Sequence, residues 1–302
     1  VTRLRGNVFA NHDAAGGAVA FQSEVQLETS VTVNTLTAGI DGAVTFAGAV
    51  RADNASLFDR SLNVIAGDAT VRLQGDIGAG LNAALADLDI LAGTIRLGSG
   101  IVMVNDATGG QTAVFDGEVV LENNVSVNTD ASTGADNGVR FARSVRADSA
   151  SAHDRQLAVT AGTGSVEFLE TVGVGGALAD LDVTASLTQL RGDLQIDDQG
   201  GNTVTFNGPV RLNADIRIDT AGPADNHLQF LGSVSTIDAD AATNQRQLMI
   251  DAGGADVSLG GALGAGQRLG AVTVVATRTL TVSSGISATS FAQQAGVGDS
   301  LF

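Results

Sequence analysis

The 302-residue chain contains no cysteine, lysine, tryptophan or tyrosine, and its prolines number only two. Without cysteine it has no disulfides, no thiolate nucleophile and no zinc–thiolate site. Without lysine it has no Schiff-base chemistry, no lysine general base and no Lys–Asn isopeptide cross-link of the kind that braces some surface adhesins. Composition alone therefore excludes several routes to catalysis and to covalent bracing.

The charged residues that are present are strongly biased toward aspartate. All 16 basic residues are Arg, and 27 Asp with six Glu bring the net charge to -17. Aspartate suits turns because its short carboxylate accepts hydrogen bonds from nearby backbone amides, whereas glutamate favours helices. We interpret this as the acidity of a turn-rich β protein, whose negative surface repels nucleic acid and anionic lipid.

No apolar run is long enough to span a membrane, and no signal peptide is recognisable. The first residue is Val1 rather than Met. We therefore expect a segment of a larger protein that has no nucleic-acid partner and does not itself insert into a membrane.

A short apolar motif recurs along the whole chain. A Phe or Leu anchor is followed, after three intervening residues, by Val, Ile or Leu, with Gly favoured midway, as at Gly48 and Gly75. The steps between anchors run from 16 to 29 residues. The anchors are Leu4, Phe21, Phe46, Leu73, Leu97, Phe115, Phe141, Phe168, Leu190, Phe206, Phe230, Leu259, Val282 and Phe302.

The anchor spacing averages about 23 residues, which is the length of one coil of a parallel β-solenoid. One such coil cannot bury its apolar stripe alone, but coils stacked about 4.8 Å apart form hydrogen bonds with their neighbours. The spacing therefore predicts an all-β fold of about 13 coils, with the anchors stacked in an internal column. The midway glycines are expected where the chain bends between two strands.

A longer repeat of 91 to 96 residues lies above the short one. Its clearest copies, 18–35, 112–129 and 203–220, align without gaps. We expect four coils in each long repeat and one continuous solenoid over 1–302. The expected divisions are the end of a preceding repeat at 1–17, three long repeats at 18–111, 112–202 and 203–299, and the start of the next at 300–302.

Three stretches carry a resemblance to known proteins: 204–210 (VTFNGPV), 157–162 (LAVTAG) and 180–185 (DLDVTA). With these motifs inside the long repeat, nearly all of the chain resembles the giant repetitive surface proteins of bacteria, the filamentous-haemagglutinin-like and autotransporter-passenger-like β-strand-repeat proteins. The resemblance implies a right-handed parallel β-helix that forms a stalk, fibre or adhesin outside the cell. It implies no cofactor and no catalytic residue.

The tripeptide Arg191-Gly192-Asp193 has the sequence that integrins recognise in some adhesins. The same place in other coils reads Gln74-Gly75-Asp76 and Leu231-Gly232-Ser233, so coil geometry already accounts for the central glycine. We therefore favour a coil corner over a receptor-binding motif at this position.

Acidic turns precede three of the anchors, at 12–17, 105–110 and 197–201. Oxygen-rich loops of this kind can hold Ca²⁺, which takes six to eight oxygen ligands. The Gly-Gly-x-Gly-x-Asp nonapeptide of calcium-binding β-rolls is absent, however. We favour Asx-type turns without a cofactor, and Ca²⁺ remains the alternative.

Paired carboxylates occur at Asp87/Asp89 and again at Asp180/Asp182. Each pair flanks a leucine that faces inward, so strand alternation places both acids of a pair on the outer face. Two acids at a suitable separation can hydrolyse glycosides. The third repeat has no acid at these positions, and no aromatic platform for a sugar lies nearby, so we favour an exposed, solvating pair.

Arg60, Arg155 and Arg246 keep the same place in all three long repeats. We expect these arginines to cap a turn or to pair with acids on a neighbouring coil. The histidines, His12, His153 and His227, share no repeat position, so their spacing predicts neither a metal site nor a catalytic dyad.

These observations favour a non-enzymatic structural segment, a stalk or fibre, of a large secreted bacterial surface protein or adhesin. No catalytic, cofactor-binding or metal residue is assigned. The expected partners are neighbouring repeats of the same polypeptide or identical subunits stacked end to end into extracellular filaments. The alternatives are an adhesin region that binds a receptor or a glycan, a sheath or surface-layer component, and, least favoured, a polysaccharide-degrading β-helix enzyme.

Overall fold

The computed structural model describes residues 1–11, 17–106, 112–131, 136–197, 201–223, 225–232, 236–296 and 298–301. Within these ranges the regular elements are all β-strands and no helix is present. The described residues therefore contain no helix that could span a membrane. The strands are β1 (Thr2–Leu4), β2 (Val8–Phe9), β3 (Val19–Phe21), β4 (Val25–Leu27), β5 (Val31–Asn34), β6 (Val44–Phe46), β7 (Val50–Ala52), β8 (Ser61–Ile65), β9 (Thr70–Leu73), β10 (Asp87–Leu97), β11 (Ile101–Met103), β12 (Thr112–Leu121), β13 (Val125–Asn128), β14 (Gly138–Phe141), β15 (Val145–Ala147), β16 (Gln156–Thr160), β17 (Ser165–Phe168), β18 (Asp180–Thr184), β19 (Leu187–Leu190), β20 (Leu194–Gln195), β21 (Thr203–Asn207), β22 (Val210–Leu212), β23 (Ile216–Asp219), β24 (His227–Phe230), β25 (Ile237–Ala239), β26 (Leu248–Asp251), β27 (Val257–Leu259), β28 (Leu269–Val274), β29 (Leu280–Val282), β30 (Ala288–Gln293) and β31 (Ser300–Leu301).

The chain divides into two compact units. Unit 1 comprises Val1–Arg143 with Val159–Gly164, and unit 2 comprises Ser144–Ala158 with Ser165–Phe302. In each unit parallel strands stack as successive coils of a β-solenoid, and the two units together contain about ten turns. The predicted all-β parallel solenoid is confirmed.

In unit 1 each sheet is formed by strands of successive coils that pair with one another. One contains β1, β4 and β7, and another has the order β2-β5-β8-β10-β12-β14. A third stack of paired strands, which we call a column, consists of β3, β6, β9 and the second half of β10. In this column Phe21 pairs with Phe46, Phe46 with Leu73 and Leu73 with Leu97. Alternate residues face inward, and the rings of Phe21 and Phe46 stack with centroids 4.9 Å apart.

Unit 2 repeats this construction with its own columns. The orders are β17-β19-β22-β25, β18-β21-β24-β27-β29-β31 and β20-β23-β26-β28-β30. In the second of these, Val183, Phe206, Phe230, Leu259 and Val282 follow one another at the same inward position. The rings of Phe206 and Phe230 stack with centroids 5.0 Å apart. Apolar contact between neighbouring coils therefore forms the core.

The expectation of one internal column of anchors is wrong in unit 1. Leu97 pairs with Leu121 and not with the next anchor, Phe115, which instead pairs with Ile90. Leu4 likewise pairs with Leu27 rather than with an anchor. Both departures fall at short anchor steps, of 18 and 17 residues, which are too short to complete a coil.

Unit 2 shows the same displacement at its short step of 16 residues. Leu190 pairs with Leu212, whereas Phe206 pairs with Val183. At each short step the motif moves to another strand of the same coil, so counting anchors counts these coils twice. This explains why about ten turns are found where 13 were expected. The last anchor, Phe302, lies outside the described residues.

The first two long repeats therefore do not contain a whole number of coils. From Phe21 its column advances through three complete coils to Leu97, but the equivalent residue of the next repeat, Phe115, lies on a different strand column. A coil of unit 1 has three strands, as in β3, β4 and β5. The first two long repeats thus have three complete coils and an incomplete fourth, rather than the expected four. In the third, the column of Phe206 continues through four coils, from β21 to β31, where Thr281 pairs with Leu301.

Gly48 and Gly75 lie at corners of the coil, as predicted, whereas Gly117, midway through the motif of Phe115, lies within β12. A Cβ atom on Gly48 would lie 2.5 Å from the backbone nitrogen of Glu24, and one on Gly75 would collide with the backbone of Gly48 itself. Neither glycine has a positive φ. Glycine is needed here because the backbones of successive coils approach closely, and left-handed backbone geometry is not the cause.

Candidate functional site

A carboxylate in each long repeat fastens one coil to the next. In the first repeat, Asp41 accepts hydrogen bonds from the backbone N–H of Thr37 in its own turn, at 2.8 Å, and of Asp68 one coil later, at 2.9 Å. Those backbone donors hold the pKa of Asp41 below its ordinary value. Gly67 beside the second donor has φ of +53°, and a Cβ atom there would collide with the carboxylate.

The other two repeats contain the same arrangement, which we call the Asp–Gly clasp. Asp136 accepts from Ala131 N–H at 2.8 Å and from Thr163 N–H at 2.6 Å, and its pKa is lowered by these bonds. Asp225 accepts from Gly222 N–H at 3.0 Å and from Gly254 N–H at 2.6 Å. The glycines next to the second donors are Gly162 and Gly253, with φ of +52° and +54°.

The clasps explain the excess of aspartate better than turns alone. The carboxylates act across coils as well as within them, and other aspartates also bridge coils. Asp76 accepts from the N–H of Gly100, Asp215 from that of Gln247 and Asp238 from that of Gly266. Aspartate fits because its carboxylate is held close to its own backbone, where the amides of the next coil lie within reach.

Buried asparagines add a further bond between coils in two repeats. Asn137 is 1% exposed, and its Nδ2 donates to the carbonyl oxygens of Ala86 and Val104 at 3.1 and 3.0 Å. In unit 2, the Nδ2 of Asn226 donates in the same way to Ala179 and Ile196, each at 3.0 Å. Each asparagine thus donates to backbone carbonyl oxygens from two different segments of the chain.

The three arginines in register do pair with acids, but within their own loops. In unit 1, Arg60 donates through Nε and Nη2 to Asp53, at 2.7 and 2.8 Å. In unit 2, Arg155 donates to Asp148 in the same two-pronged way, at 2.9 and 3.1 Å. Arg246 likewise donates through Nε and Nη2 to the carboxylate of Asp240, at 2.8 and 2.9 Å.

Each of these Arg–Asp clamps joins residues six or seven positions apart and closes the base of a loop. The guanidinium hydrogen bonds lower the pKa of Asp53, Asp148 and Asp240. In the first repeat the Arg60 guanidinium also lies 4.4 Å from the ring centroid of Phe58. The clamps therefore close turns within one coil, and of the two expected roles, capping a turn or pairing with a neighbouring coil, the second is wrong.

The acidic pairs lie on the outer face, as predicted, but they are not fully solvated. Burial raises the pKa of Asp87 to about 6, with a further contribution from the charge of Asp89, whose own pKa burial also raises. Asp180 in unit 2 behaves in the same way, with its pKa raised to about 6 by burial and by Asp182. The expectation of an exposed pair is therefore wrong for Asp87, Asp89 and Asp180, which are partly buried, and right for Asp182, which is exposed.

The reason for this burial lies in the sheet. Asp89 has Asn63 on one neighbouring strand and Val114 on the other, so side chains cover it from both sides. Both carboxylates of the pair also belong to the same face of a single strand. Glycosidase acids instead flank the scissile bond from two sides.

The Arg191-Gly192-Asp193 tripeptide forms the corner between β19 and β20. A Cβ atom on Gly192 would lie 2.5 Å from the carbonyl carbon of Glu170, so the close approach of two coils requires glycine. Asp193 Oδ1 accepts a hydrogen bond from the backbone N–H of Arg217 at 2.8 Å. These contacts give the motif a structural role in the corner, while the side chains of Arg191 and Asp193 remain exposed.

The acidic turns that suggested calcium fall largely on 12–16, 107–111 and 198–200, which lie outside the described residues, as does His12. Within the described ranges, no group of three or more His, Asp or Glu side chains is positioned to hold a metal ion. The calcium alternative is therefore untested.

One polar cleft was not foreseen from the sequence. A depression of about 320 Å³ in unit 2 is lined by Thr203, His227, Leu228, Gln229, Asp256 and Ser258, on the outer side of β21, β24 and β27. The backbone N–H of Asp256 donates to Nδ1 of His227 at 3.1 Å. The Asp256 carboxylate accepts two hydrogen bonds from Arg278, the one from Nε at 2.8 Å, and this contact lowers the pKa of Asp256 to about 2.

Comparison with protein-family models, with curated proteins and with solved structures gives no match.

The contacts described above hold coils together, close loops or line a shallow cleft. His153, the other described histidine, lies in a clamp loop with Nδ1 3.4 Å from Asp148 Oδ1. Only the register of the sheet reveals the cleft, because its residues are 24 and 29 positions apart in sequence.

Proposed function

We propose that this chain is a non-enzymatic structural segment, a stalk or fibre, of a large bacterial protein that is exported to the cell surface. The observation that carries the proposal is the Asp–Gly clasp, which returns in all three long repeats and joins one coil to the next each time. A chain that repeats its fastenings at regular intervals is suited to extending a structure and bearing load.

The resemblance of the long repeat to filamentous-haemagglutinin-like and autotransporter-passenger-like proteins supports an extracellular location. By the same resemblance we propose that the coils wind to the right. The acidity of the chain supports solubility, because like-charged surfaces repel one another laterally.

The proposed partners are neighbouring repeats of the same polypeptide or identical subunits stacked end to end. Backbone N–H and C=O groups at the edge of a parallel sheet can pair with a further strand. An adhesin region that binds a receptor or a glycan is the alternative, and a sheath or surface-layer component is a variant of the structural role. A polysaccharide-degrading enzyme is least supported, since each acidic pair lies on one strand face.

Electron microscopy of intact source cells, with antibodies raised against this segment, tests the structural role. We expect gold label distributed along filaments or a layer outside the cell. Label confined to the cell interior would contradict the proposal. Depolymerisation of a neutral or acidic glycan by the purified chain, abolished in an Asp180→Asn/Asp182→Asn variant, would contradict it as well.

A further inference from the structure

The cleft of unit 2 combines several hydrogen-bonding groups on neighbouring strands. Thr203 pairs with His227 across β21 and β24, and Gln229 pairs with Ser258 across β24 and β27. Neighbouring strands are about 4.8 Å apart, so these side chains form two short outward rows. Within the described part of the chain, the side chains of Gln229 and Ser258 make no hydrogen bond that would occupy them.

The protonation of His227 follows from its contact with the next coil. Its Nδ1 accepts the backbone N–H of Asp256, so this nitrogen carries no hydrogen in that arrangement. The same Nδ1 lies 3.6 Å from Asp256 Oδ2, which would suit an ion pair only if the ring were protonated. Because Nδ1 accepts this backbone bond, Nε2 is the ring nitrogen that carries hydrogen and can donate.

The charges in the cleft nearly cancel. Asp256 is the one acid among its lining residues, and the guanidinium of Arg278 holds both oxygens of that carboxylate. On the neighbouring strand β18, however, Asp182 pairs with Thr205 of β21, and Asp180 lies two residues away on the same face. An anionic ligand extending in that direction would meet these two acids.

We propose that the cleft binds a segment of an uncharged glycan. Sugar hydroxyls both donate and accept hydrogen bonds, and the lining offers matching groups in the imidazole Nε2–H, the Gln229 amide and the hydroxyls of Thr203 and Ser258. The nearby acids disfavour uronic-acid and sulfated chains. The cleft has no aromatic lining and lies at the small end of ligand sites, so it binds weakly, with a dissociation constant of about 1 mM.

Isothermal titration of the whole chain tests this binding, with maltohexaose, cellohexaose and N-acetylchitohexaose as neutral probes and hexagalacturonate and a heparin hexasaccharide as anionic probes. We expect at least one neutral probe to bind more tightly than both anionic ones. Gln229→Ala and His227→Ala each weaken that binding by about tenfold, the effect of losing one hydrogen bond. His153→Ala, at an exposed histidine of the same unit outside the cleft, leaves it unchanged.

Three results would overturn the proposal: no neutral probe binding at millimolar concentration, tighter binding of an anionic probe, or equal binding by the wild type and Gln229→Ala. His227→Ala removes the acceptor for the Asp256 amide and so can disturb folding. Gln229→Ala keeps that contact, and its circular dichroism spectrum should match the wild type. The structural role proposed above stands or falls with microscopy and does not depend on this titration.

Discussion

At Gly67 a single residue combines two requirements. Its φ of +53° is a conformation that residues with side chains rarely adopt, and a Cβ atom there would meet the carboxylate of Asp41. Gly162 and Gly253 are placed in the same way against Asp136 and Asp225. The clasp therefore depends on an aspartate and a glycine that lie about one coil apart in sequence.

Gly67→Ala should lower the free energy of unfolding by about 1 to 3 kcal/mol, since the alanine is strained at this φ and displaces the Asp41 carboxylate from its donors. Urea denaturation followed by circular dichroism measures the loss. Gly6→Ala is the matched control, because a Cβ atom on Gly6 would have no neighbour within 4 Å. Equal effects of the two substitutions would refute the clasp as a source of stability.

Phe141→Ala should cost about 3 to 5 kcal/mol through lost burial and the cavity that remains. Phe141 is fully buried, and its ring stacks on Phe115 with centroids 5.1 Å apart. Phe9→Ala is the control, because Phe9 is 63% exposed and should lose less than 1 kcal/mol. Thermal melts of the wild type and the two variants measure both losses, and equal losses would contradict a core position for Phe141.

At the scale of elements, the clamp loops are among the segments that strand pairing does not hold. Arg60 and Asp53 close the first such loop, and Leu57 and Phe58 within it are exposed. The planar guanidinium is essential to this closure because it reaches both carboxylate oxygens at once. A lysine in its place would offer a single charged group.

Arg60→Lys should therefore raise the rate of chymotrypsin cleavage after Phe58 by about fivefold, as the loop opens more often. Peptide mapping by mass spectrometry over a time course gives the rate. Arg268→Lys serves as a control, because Arg268 makes a single bond from Nη2 to the carbonyl of Ala288. Unchanged cleavage after Phe58 in Arg60→Lys would show that other contacts hold the loop.

The strands and their corner glycines could be predicted from the sequence, but the stacking order of the anchors could not. Alternation identifies Phe115 as inward whichever strand of the coil it occupies, so hydrophobicity does not distinguish one column from another. The clasp of Asp41 with Gly67 was equally hidden, since 27 aspartates offer many candidates. Arg60 was seen to recur in the sequence, yet its pairing with Asp53 became visible only in the folded loop.

The candidate site was predicted less well than the fold. Alternation placed Asp87 and Asp180 on the outer face correctly, but it carries no information on how much neighbouring strands cover them. His227 and Gln229 gave no signal because a cleft forms only when the register brings β21, β24 and β27 together. Contacts between residues one coil apart are set by exact coil length, which varies along this chain.

For the whole molecule, pH should act on stability in two opposite directions. The pKa of Asp87 and of Asp180 is raised to about 6 in the folded state, so the folded chain binds protons more tightly there than the unfolded chain. Stability should therefore rise as the pH falls from 7 toward 4.5, by about 1 kcal/mol after allowance for solvent screening.

Below about pH 4 the trend should reverse, because the lowered pKa values of Asp53, Asp148 and Asp256 mean that acid breaks their bonds to arginine. Urea midpoints measured from pH 3 to pH 8 give the profile. In Asp87→Asn/Asp180→Asn the rise between pH 7 and pH 4.5 should shrink while the acid loss remains, since Asp89 retains a raised pKa. A flat wild-type profile over that range would contradict the assigned burial of these acids.

The incomplete fourth coil of the first two long repeats has a consequence for how such a gene can change. Because equivalent residues of successive repeats keep the same local partners, recombination that adds or deletes one whole repeat would preserve the pairing at the junction. The motif residues encoded downstream would nevertheless move to the neighbouring strand position of the coil. Changes in copy number would thus alter the direction in which surface features point, without any substitution in them.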